Sequence, residues 1–256
     1  MPMINAETLQ GFVGDIFAAA GCSAAEGARI GKYLVGANLA GHDSHGVVRV
    51  PRYLQWQRDG VVHADRKARI VTETPVLAVV DGLHGFGQTV APQAVAIGIE
   101  KCKAMGLSLV ALRNAGHIGR VGDWAEMAAE AGLVSVHFVN ASGSVLVAPF
   151  GGTERRLSTA PFCVGVPRPG EPPVVLDFAT SVVAEGKVLV ASQGGKKLPA
   201  EALISLDGKM SADPRVLYGD YAATGPRQAG KGKGAIRAFG EHKGSGLALI
   251  CELLGG

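Results

Sequence analysis

Residues 41–60 bring together side chains that can transfer a proton and hold an anion. The segment reads GHDSHGVVRVPRYLQWQRDG, a polar turn with Ser44 and His45 followed by a stretch of helical spacing that carries Arg49 and Tyr53. Histidine has the side-chain pKa nearest to neutrality, and arginine can hold a carboxylate with two parallel hydrogen bonds. The combination favours a site for a small oxyacid. Taken alone, the same residues are also typical of helix caps at a helix–turn–helix junction.

A second histidine, His117, lies in the segment RNAGHIG, residues 113–119. The segment follows a predicted strand and precedes a predicted helix. His117 is therefore expected at the C-terminal edge of a strand, where α/β proteins usually bind their ligands. A single histidine in such a place is also typical of a structural hydrogen bond, so both interpretations stay open.

Several familiar motifs are missing or incomplete. No G-x-G-x-x-G sequence follows the first predicted strand, which argues against a Rossmann dinucleotide fold. Residues 225–232, GPRQAGKG, resemble a P-loop, but Gly232 stands where Ser or Thr would bind magnesium. Neither G-x-S-x-G nor S-x-x-K occurs in a strand–turn–helix context, so a serine hydrolase is not supported. His42 and His45 could share a metal, but no further cluster of ligands accompanies them, and no metal site is predicted.

The elements that carry the first motif are predicted from apolar periodicity. Apolar residues recur with a helical period over residues 5–20 and again in the segment that leads to the polar turn. Ser23 and Glu26 have the spacing of a capping box at the start of that second helix. A third helix is predicted from about Val47 to Asp59. Three helices without an intervening strand indicate a helical N-terminal subdomain.

From residue 68 onward, strands and helices alternate. ARIVTE, VLAVVDG, LSLVALRNA and LVSVHFVNAS predict strands, and GFGQTVAPQAVAIGIEKCKAMG and VGDWAEMAAEAG predict helices. Such units imply an α/β fold with a parallel or mixed sheet covered by helices. AEGKVLVASQGG and HKGSGLALICELLGG predict two later helices. Residues 208–240 are rich in glycine and lysine and lack periodicity, so a mobile loop is predicted there.

The composition bounds the class of protein. The chain has 256 residues, of which 47% are hydrophobic and 18% charged, and this predicts a globular protein. The net charge of +3 without a basic stripe argues against nucleic acid as the main partner. We find neither a signal peptide nor an apolar run long enough for a membrane span. Four scattered cysteines without paired spacing favour free thiols and a cytoplasmic location.

Five blocks of this sequence, in this order, resemble the malate/L-lactate dehydrogenase family of non-Rossmann type. They are HDSHGVVRVPRY, RNAGHIG, APFGGTERRLSTAPF, LDFATSVVAEGKV and HKGSGLALICELLGG. The resemblance implies a non-Rossmann NAD(P)-binding mixed sheet, hydride transfer between NAD(P)H and a small 2-oxo or 2-hydroxy acid, and a homodimer with shared sites. It further implies two parts, a helical substrate-site segment over residues 1–66 and a cofactor-binding α/β domain over residues 67–256. Family chains extend further, so a C-terminal segment is expected to be missing here.

The resemblance also implies roles for individual residues. Catalytic roles correspond to His45, His117 and Asp177, with either histidine as the proton-transferring group. Asp177 could pair with one histidine and hold its tautomer or raise its pKa. The positions that match substrate contacts are Ser44, which would hydrogen-bond the substrate, Arg49, which would hold its carboxylate, and Tyr53, which would line the pocket. Cofactor contacts correspond to Ser142, Pro161, Asp177, Phe178, Ala179 and Lys243.

The expected chemistry agrees with these residue types. When a hydride reaches a 2-oxo acid, negative charge develops on the carbonyl oxygen, and proton donation by a positioned imidazolium is typically worth about 10²–10⁴ in rate. A carboxylate held by Arg49 would orient C2 toward the nicotinamide. A cyclic-imine (piperideine- or pyrroline-2-carboxylate) reductase would use the same residues, and a non-catalytic binding protein is an alternative of another class. The substrate, the direction of the reaction and the choice between NAD and NADP stay open.

Overall fold

The computed structural model describes residues 3–141, 143–225 and 227–256, which divide into two compact units. Unit 1 comprises the residues up to Ser135 together with Gly165–Val175, and unit 2 comprises Val136–Val164 and Leu176–Gly256. Helices and mixed sheets occur together, so the predicted α/β class with a helical N-terminal region is confirmed. The division predicted at residue 66 concerns the roles of the two parts, and it stays a prediction.

Unit 1 begins with three helices, as the periodicity predicts. Asn5 caps the first helix, because its side-chain oxygen accepts a hydrogen bond from the Thr8 amide at 3.1 Å. Ser23 caps the second, since its hydroxyl accepts from the Glu26 amide at 3.2 Å. The helices are α1 (Ala6–Ala19), α2 (Ala24–Leu39) and α3 (Val50–Arg58).

The third helix starts later than predicted. Residues 43–45 and 47–49 form two short 3₁₀ turns, and the α-helix begins only at Val50. Pro51 lies in the first turn of α3, where its missing N–H would have had no partner within the helix. The polar turn is therefore compact backbone of its own, and it is not the first turn of α3.

Only the Ser23 half of the predicted capping box at α2 forms, because the Glu26 side chain accepts hydrogen bonds from other residues. Its carboxylate is fully buried, and it accepts hydrogen bonds from the Asp65 amide at 2.5 Å and from the Thr89 hydroxyl at 2.6 Å. The Ser23 amide donates to Asp65 Oδ2 at 2.8 Å instead of to Glu26. Glu26 thus ties α2 to the segments at residues 65 and 89.

The first two helices pack closely through glycine. A Cβ atom at Gly27 would lie 2.5 Å from the carbonyl oxygen of Gly14 on the facing helix, so only glycine permits this approach. The helical core of unit 1 is built around the buried side chains Phe17, Ile30, Leu34, Tyr53 and Phe86.

The first sheet of unit 1 mixes antiparallel and parallel pairing. Its order is β1-β2-β3, with β1 antiparallel to β2 and β2 parallel to β3. A long helix, α4, connects the two parallel strands. Because β3 ends at Ala115, His117 follows directly after the carboxyl end of a parallel strand, as predicted. The elements are β1 (Arg69–Glu73), β2 (Leu77–Gly85), α4 (Gly87–Met105), β3 (Leu109–Ala115) and α5 (Gly122–Glu130).

Two further sheets complete the fold. Their strands are β4 (Ser135–Phe138), β5 (Val147–Ala148), β6 (Pro161–Arg168), β7 (Glu171–Ala179), β8 (Leu203–Ile204), β9 (Met210–Ser211) and β10 (Ala235–Arg237). One sheet has the order β4-β6-β7 and the other the order β5-β10-β8-β9. The helices of unit 2 are α6 (Glu185–Ser192), α7 (Arg215–Tyr218) and α8 (His242–Gly255), of which α6 and α8 were predicted.

The predicted mobile loop at residues 208–240 is wrong in part, because this segment contains β9, α7 and β10. β10 lies inside its sheet, parallel to β5 and antiparallel to β8, and Ile236 is fully buried. Arg155 holds the intervening turns. Its guanidinium donates to the carbonyl oxygens of Ala229, Leu217, Gly232 and Gly234. The elements are too short to produce a detectable period, and they depend on a partner far away in the sequence.

Replacing Arg155 by methionine is expected to lower the free energy of unfolding by at least about 3 kcal/mol. Four carbonyl oxygens would lose a charged donor, and hydrogen bonds to charged groups contribute about 1.5–3 kcal/mol. Urea unfolding of Arg156→Met provides the matched control, since the side chain of Arg156 is 69% exposed and forms a surface ion pair with Glu154. Equal stabilities of the two variants would contradict the role of Arg155.

No helix among the described residues is both long and apolar enough to cross a membrane. None of the four cysteines, all of which are described, forms a disulfide.

Candidate active site

The polar turn at residues 42–49 is held in place by Asn38 on α2. Asn38 Oδ1 accepts from the Val47 amide at 2.9 Å, and its Nδ2 donates to Asp43 Oδ1 at 2.6 Å. A Cβ atom at Gly46 would collide with the Asn38 side chain, so the motif needs glycine at this position. One amide side chain thereby fixes both 3₁₀ turns against α2.

Within this turn, Ser44, His45 and Arg49 are coupled. The Ser44 hydroxyl lies 3.1 Å from His45 Nδ1, and Arg49 Nε donates to the Ser44 carbonyl oxygen at 2.5 Å. In the described part of the chain, Arg49 uses only Nε for a hydrogen bond. Its two terminal nitrogens thus stay available for a carboxylate, which is the geometry that suits bidentate binding.

His117 meets the turn from the end of β3, although 72 positions separate it from His45. The two imidazole rings are stacked, with centroids 5.4 Å apart and an interplanar angle of 16°. Tyr53 on α3 places its hydroxyl 2.6 Å from His117 Nδ1. The structure therefore brings His45, His117 and Tyr53 together, and the Ser44 and Arg49 contacts extend the same cluster.

The environment keeps both imidazoles neutral at pH 7. Burial, the charge of Arg49 and the neighbouring His42 lower the pKa of His45 to about 4. Burial lowers the pKa of His117 well below its usual value, with Arg49 and His45 contributing in the same direction. Burial raises the pKa of Tyr53 to about 12, so its hydroxyl stays protonated and can donate. The cluster offers two neutral imidazoles beside one fixed positive charge.

Two site residues escaped the sequence analysis. Gln88, in the first turn of α4, is fully buried and donates from Nε2 to the Tyr53 hydroxyl at 3.0 Å. Tyr53, for which a role in lining the pocket stays a prediction, is 1% exposed, and its hydroxyl contacts His117. The other missed residue is Asn38. The sequence around Gln88, GFGQTVAPQA, contains further polar residues and does not distinguish Gln88 from them.

The remaining predicted site residues lie in unit 2 or outside the described chain. Phe178 in β7 packs its ring against Phe162 and Phe239, with centroids 5.8 Å and 5.4 Å away. Lys243 is exposed in the first turn of α8. Pro161 begins β6, Asp177 and Ala179 lie at the end of β7, and Ser142 is outside the described residues. Their roles stay predictions, including the pairing of Asp177 with a histidine.

No metal-binding group of side chains is evident among the residues that the structure describes. In residues 3–141, 143–225 and 227–256, no three His, Cys, Asp or Glu side chains are grouped so as to hold an ion.

The lowered histidine pKa values predict how stability depends on pH. Burial lowers the pKa of His45 and His137 to about 4, and that of His117 also lies well below the value near 6.5 of an unfolded chain. Between pH 6.5 and 4 the unfolded state then binds more protons than the native state. The free energy of unfolding should therefore decrease as the pH is lowered through this window, by up to about 1.4 kcal/mol per pH unit for each histidine.

Urea unfolding at pH 7, 6 and 5 measures this dependence. The variant His137→Gln, which carries no titrating group at that position, is expected to show a shallower slope than the unmodified chain. A free energy of unfolding that stays constant from pH 7 to 5 would contradict the buried neutral state of these histidines.

The chain is similar to known dehydrogenases over nearly its whole length. A sequence model described as malate/L-lactate dehydrogenase matches residues 4–256. Hydroxycarboxylate dehydrogenase B of Escherichia coli O157:H7 is 41% identical over 252 residues, which cover 98% of this chain and 67% of the relative. L-lactate dehydrogenase of Cupriavidus necator is 36% identical over 229 residues, which cover 89% of this chain and 62% of the relative. The chain thus spans about two thirds of the length of these relatives.

A solved structure extends the similarity. Δ1-piperideine-2-carboxylate reductase from Pseudomonas syringae superposes with a TM-score of 0.86 at 30% identity, covering 100% of this chain and 73% of the other.

Proposed function

The chain belongs to the malate/L-lactate dehydrogenase family, and we propose that it transfers a hydride between a nicotinamide cofactor and a small 2-hydroxy acid or its 2-oxo counterpart. The observation that carries this proposal is the stacked pair of neutral imidazoles, His45 and His117, beside the available terminal nitrogens of Arg49. Arg49 holds the carboxylate, and the histidines accept or donate the proton that leaves or reaches the C2 oxygen.

Arg49 binds the substrate carboxylate and thereby fixes the position of C2. With the acid end held, the C2 oxygen is presented to the imidazole pair, and this orientation makes the reaction effectively unimolecular. In the oxidation of a hydroxy acid, the C2–O–H proton passes to a neutral imidazole nitrogen while the C2–H bond breaks and the carbon–oxygen double bond forms. In reduction the proton returns to the same oxygen. Neutral histidines at pH 7 suit the first of these steps.

The nicotinamide cofactor, when bound, accepts or supplies the hydride at C2. The residue types in unit 2 fit such a group, because Lys243 in the first turn of α8 combines a positive charge with a helix N-terminus, which suits a phosphate. The half-buried Phe178 ring offers an apolar contact. Pro161, Asp177, Ala179 and Ser142 complete the proposed cofactor set, and the cofactor is NAD or NADP.

Titration of NADH and then NADPH into the protein, followed by a panel of acids, tests this function. We expect saturable enhancement of nicotinamide fluorescence with one cofactor, and loss of the signal when pyruvate or oxaloacetate is added. Absence of both binding and oxidation would contradict the proposal and favour a non-catalytic binding protein.

A second candidate is a cyclic-imine reductase, favoured by the similarity to the piperideine-2-carboxylate reductase structure. It would use the same residues, with the ring nitrogen in place of the C2 oxygen. Oxidation of the reduced cofactor by piperideine-2-carboxylate alone, with no response to pyruvate or oxaloacetate, would support this alternative against the hydroxy-acid function.

The family resemblance also motivates two proposals about the assembled protein. We propose that the chain forms a homodimer and acts in the cytoplasm. Sedimentation equilibrium tests the first, and a mass of one chain at micromolar concentration would contradict it.

A further inference from the structure

A buried chain of hydrogen bonds links α4 to the second histidine of the site. Gln88 Nε2 lies 3.0 Å from the Tyr53 hydroxyl oxygen, which in turn lies 2.6 Å from His117 Nδ1. Gln88 and Tyr53 are 0% and 1% exposed, so water does not compete for these groups. Side chains alone do not fix the direction of such a chain, because an amide can flip, a hydroxyl can rotate and an imidazole has two tautomers.

Two main-chain groups, whose polarity is fixed, settle the direction. The same Gln88 nitrogen lies 3.3 Å from the His117 carbonyl oxygen, and since a carbonyl only accepts, the Gln88 atom must be the NH₂ donor. At the other end, the Gly119 amide donates to His117 Nδ1 at 3.3 Å, so this nitrogen carries a lone pair. Between them, the Tyr53 oxygen accepts from Gln88 and its proton is directed to His117 Nδ1.

The orientation of Gln88 has a cost. Its side-chain oxygen is buried and makes no hydrogen bond to any described residue. A buried unsatisfied acceptor costs about 1–3 kcal/mol. A leucine or methionine of similar size would avoid this cost, and an unsatisfied group of this kind next to a candidate active site points to a function for the donor end.

We propose that Gln88 is a positioning residue that, through the Tyr53 hydroxyl, holds neutral His117 in the tautomer with its proton on Nε2. In this tautomer Nε2 is a hydrogen-bond donor and cannot take a proton. A proton on Nδ1 would point at the N–H of Gly119. The Tyr53 hydroxyl would then have to donate to the His117 carbonyl oxygen, 3.4 Å away. Arg49, His45 and Tyr53 are the charged and titratable groups that face this imidazole, and burial together with Arg49 and His45 disfavours its cation.

The two stacked imidazoles then have different tasks. This consequence rests on the proposed function. His117 donates from Nε2 to the C2 oxygen, where charge develops, and His45 exchanges the proton. Donation from a fixed dipole to a developing oxyanion is worth about 10²–10³ in rate.

The substitution Gln88→Glu tests the proposal because it reverses the direction of the hydrogen bonds that run from Gln88 through Tyr53 to His117. A carboxylate at this position accepts the Tyr53 proton, so the Tyr53 oxygen must accept from Nδ1–H of His117. Nitrogen-15 NMR of labelled histidine reads the tautomer without cofactor or substrate, and the signals of His117 are identified by their loss in His117→Asn. We expect Nε2–H in the unmodified chain and Nδ1–H in Gln88→Glu.

The controls separate a change of tautomer from a change of charge or of fold. Gln93→Glu places the same charge in the same helix on a side chain that accepts from the Ala68 amide, and it should leave the His117 tautomer unchanged. If Gln88→Glu fails to fold, Tyr53→Phe provides the second variant. It removes the hydroxyl at 2.6 Å from Nδ1 and leaves only the Gly119 amide at 3.3 Å, so the Nε2–H tautomer should lose part of its population to Nδ1–H.

Failure of the proposal and failure of the proposed function are distinguishable. Nδ1–H in the unmodified chain, or an unchanged tautomer in both variants at positions 88 and 53, would overturn the role of Gln88 whatever the activity. With the tautomer reversed, kcat for hydroxy-acid oxidation should fall about 10²-fold while KM changes less than about threefold. An unchanged kcat would overturn the donor role of Nε2–H and leave the tautomer assignment intact.

Discussion

Replacing His45 by alanine is expected to lower kcat/KM for hydroxy-acid oxidation by about 10²–10⁴, the usual loss when a general base is removed. His45 Nδ1 lies beside the Ser44 hydroxyl, which can donate or accept, so this contact does not impose one tautomer as Tyr53 and Gly119 do at His117. The helices should persist, because His45 lies in a short 3₁₀ turn that Asn38 holds through neighbouring residues. Circular dichroism of the variant checks this last point.

His42→Ala is the matched control for that substitution. His42 belongs to the same turn, and its ring centroid lies 6.0 Å from that of His45. Its removal should change kcat/KM by less than about tenfold. If both alanine variants lost activity equally, the loss would reflect collapse of the turn and would contradict a specific role for His45.

The pH profile of the unmodified chain belongs to the same prediction. kcat/KM reports the pKa values of the free protein. Because burial and Arg49 lower the pKa of His45 to about 4, oxidation should stay constant from pH 8 down to about pH 5. A decline centred near pH 6.5, the value of an exposed histidine, would contradict this account.

Replacing Arg49 by methionine should raise KM for carboxylate substrates and lower kcat/KM by about 10²–10³-fold. Each hydrogen bond from a charged donor contributes about 1.5–3 kcal/mol, and each 1.4 kcal/mol is a tenfold change. Arg49→Lys keeps the charge but loses the planar pair of donors, so it should recover only part of the loss. An unchanged KM in Arg49→Met would show that another group binds the acid.

The same variant predicts a change of pH dependence with a definite sign. The positive charge of Arg49 contributes to the lowered pKa of both His45 and His117. Its removal raises these values, so the acidic decline of kcat/KM should move toward higher pH in Arg49→Met and stay near its original position in Arg49→Lys. This shift separates the electrostatic effect of Arg49 from its contacts with substrate.

Most long elements of the fold were predictable because each has a period of its own. The helices around Phe17 and Leu34, and the strands on either side of α4, show their buried faces in the local sequence. The short elements between residues 208 and 240 do not. Two- to four-residue strands and helices have no period, and the contacts that stabilise them come from Arg155, about 60–80 positions away.

The site was predictable in its residue types and less so in its arrangement. His45 and His117 were identified from their motifs, but their stacking depends on the path of the chain through α3, β2, α4 and β3. Gln88 was missed because its importance arises only from a contact with Tyr53, 35 positions away. The hydrogen bond between Tyr53 and His117 was not predictable either, because it joins residues that are 64 positions apart.

The most direct test of the central claim is to follow the hydrogen on C2. The protein is incubated with NAD or NADP and with L-lactate or L-malate deuterated at C2, and the reduced cofactor is then examined by mass spectrometry and proton NMR. The account predicts one deuterium at C4 of the nicotinamide ring, together with release of the matching 2-oxo acid. Turnover of a hydroxy acid without deuterium on the cofactor, or no turnover of either acid with either cofactor, would contradict it.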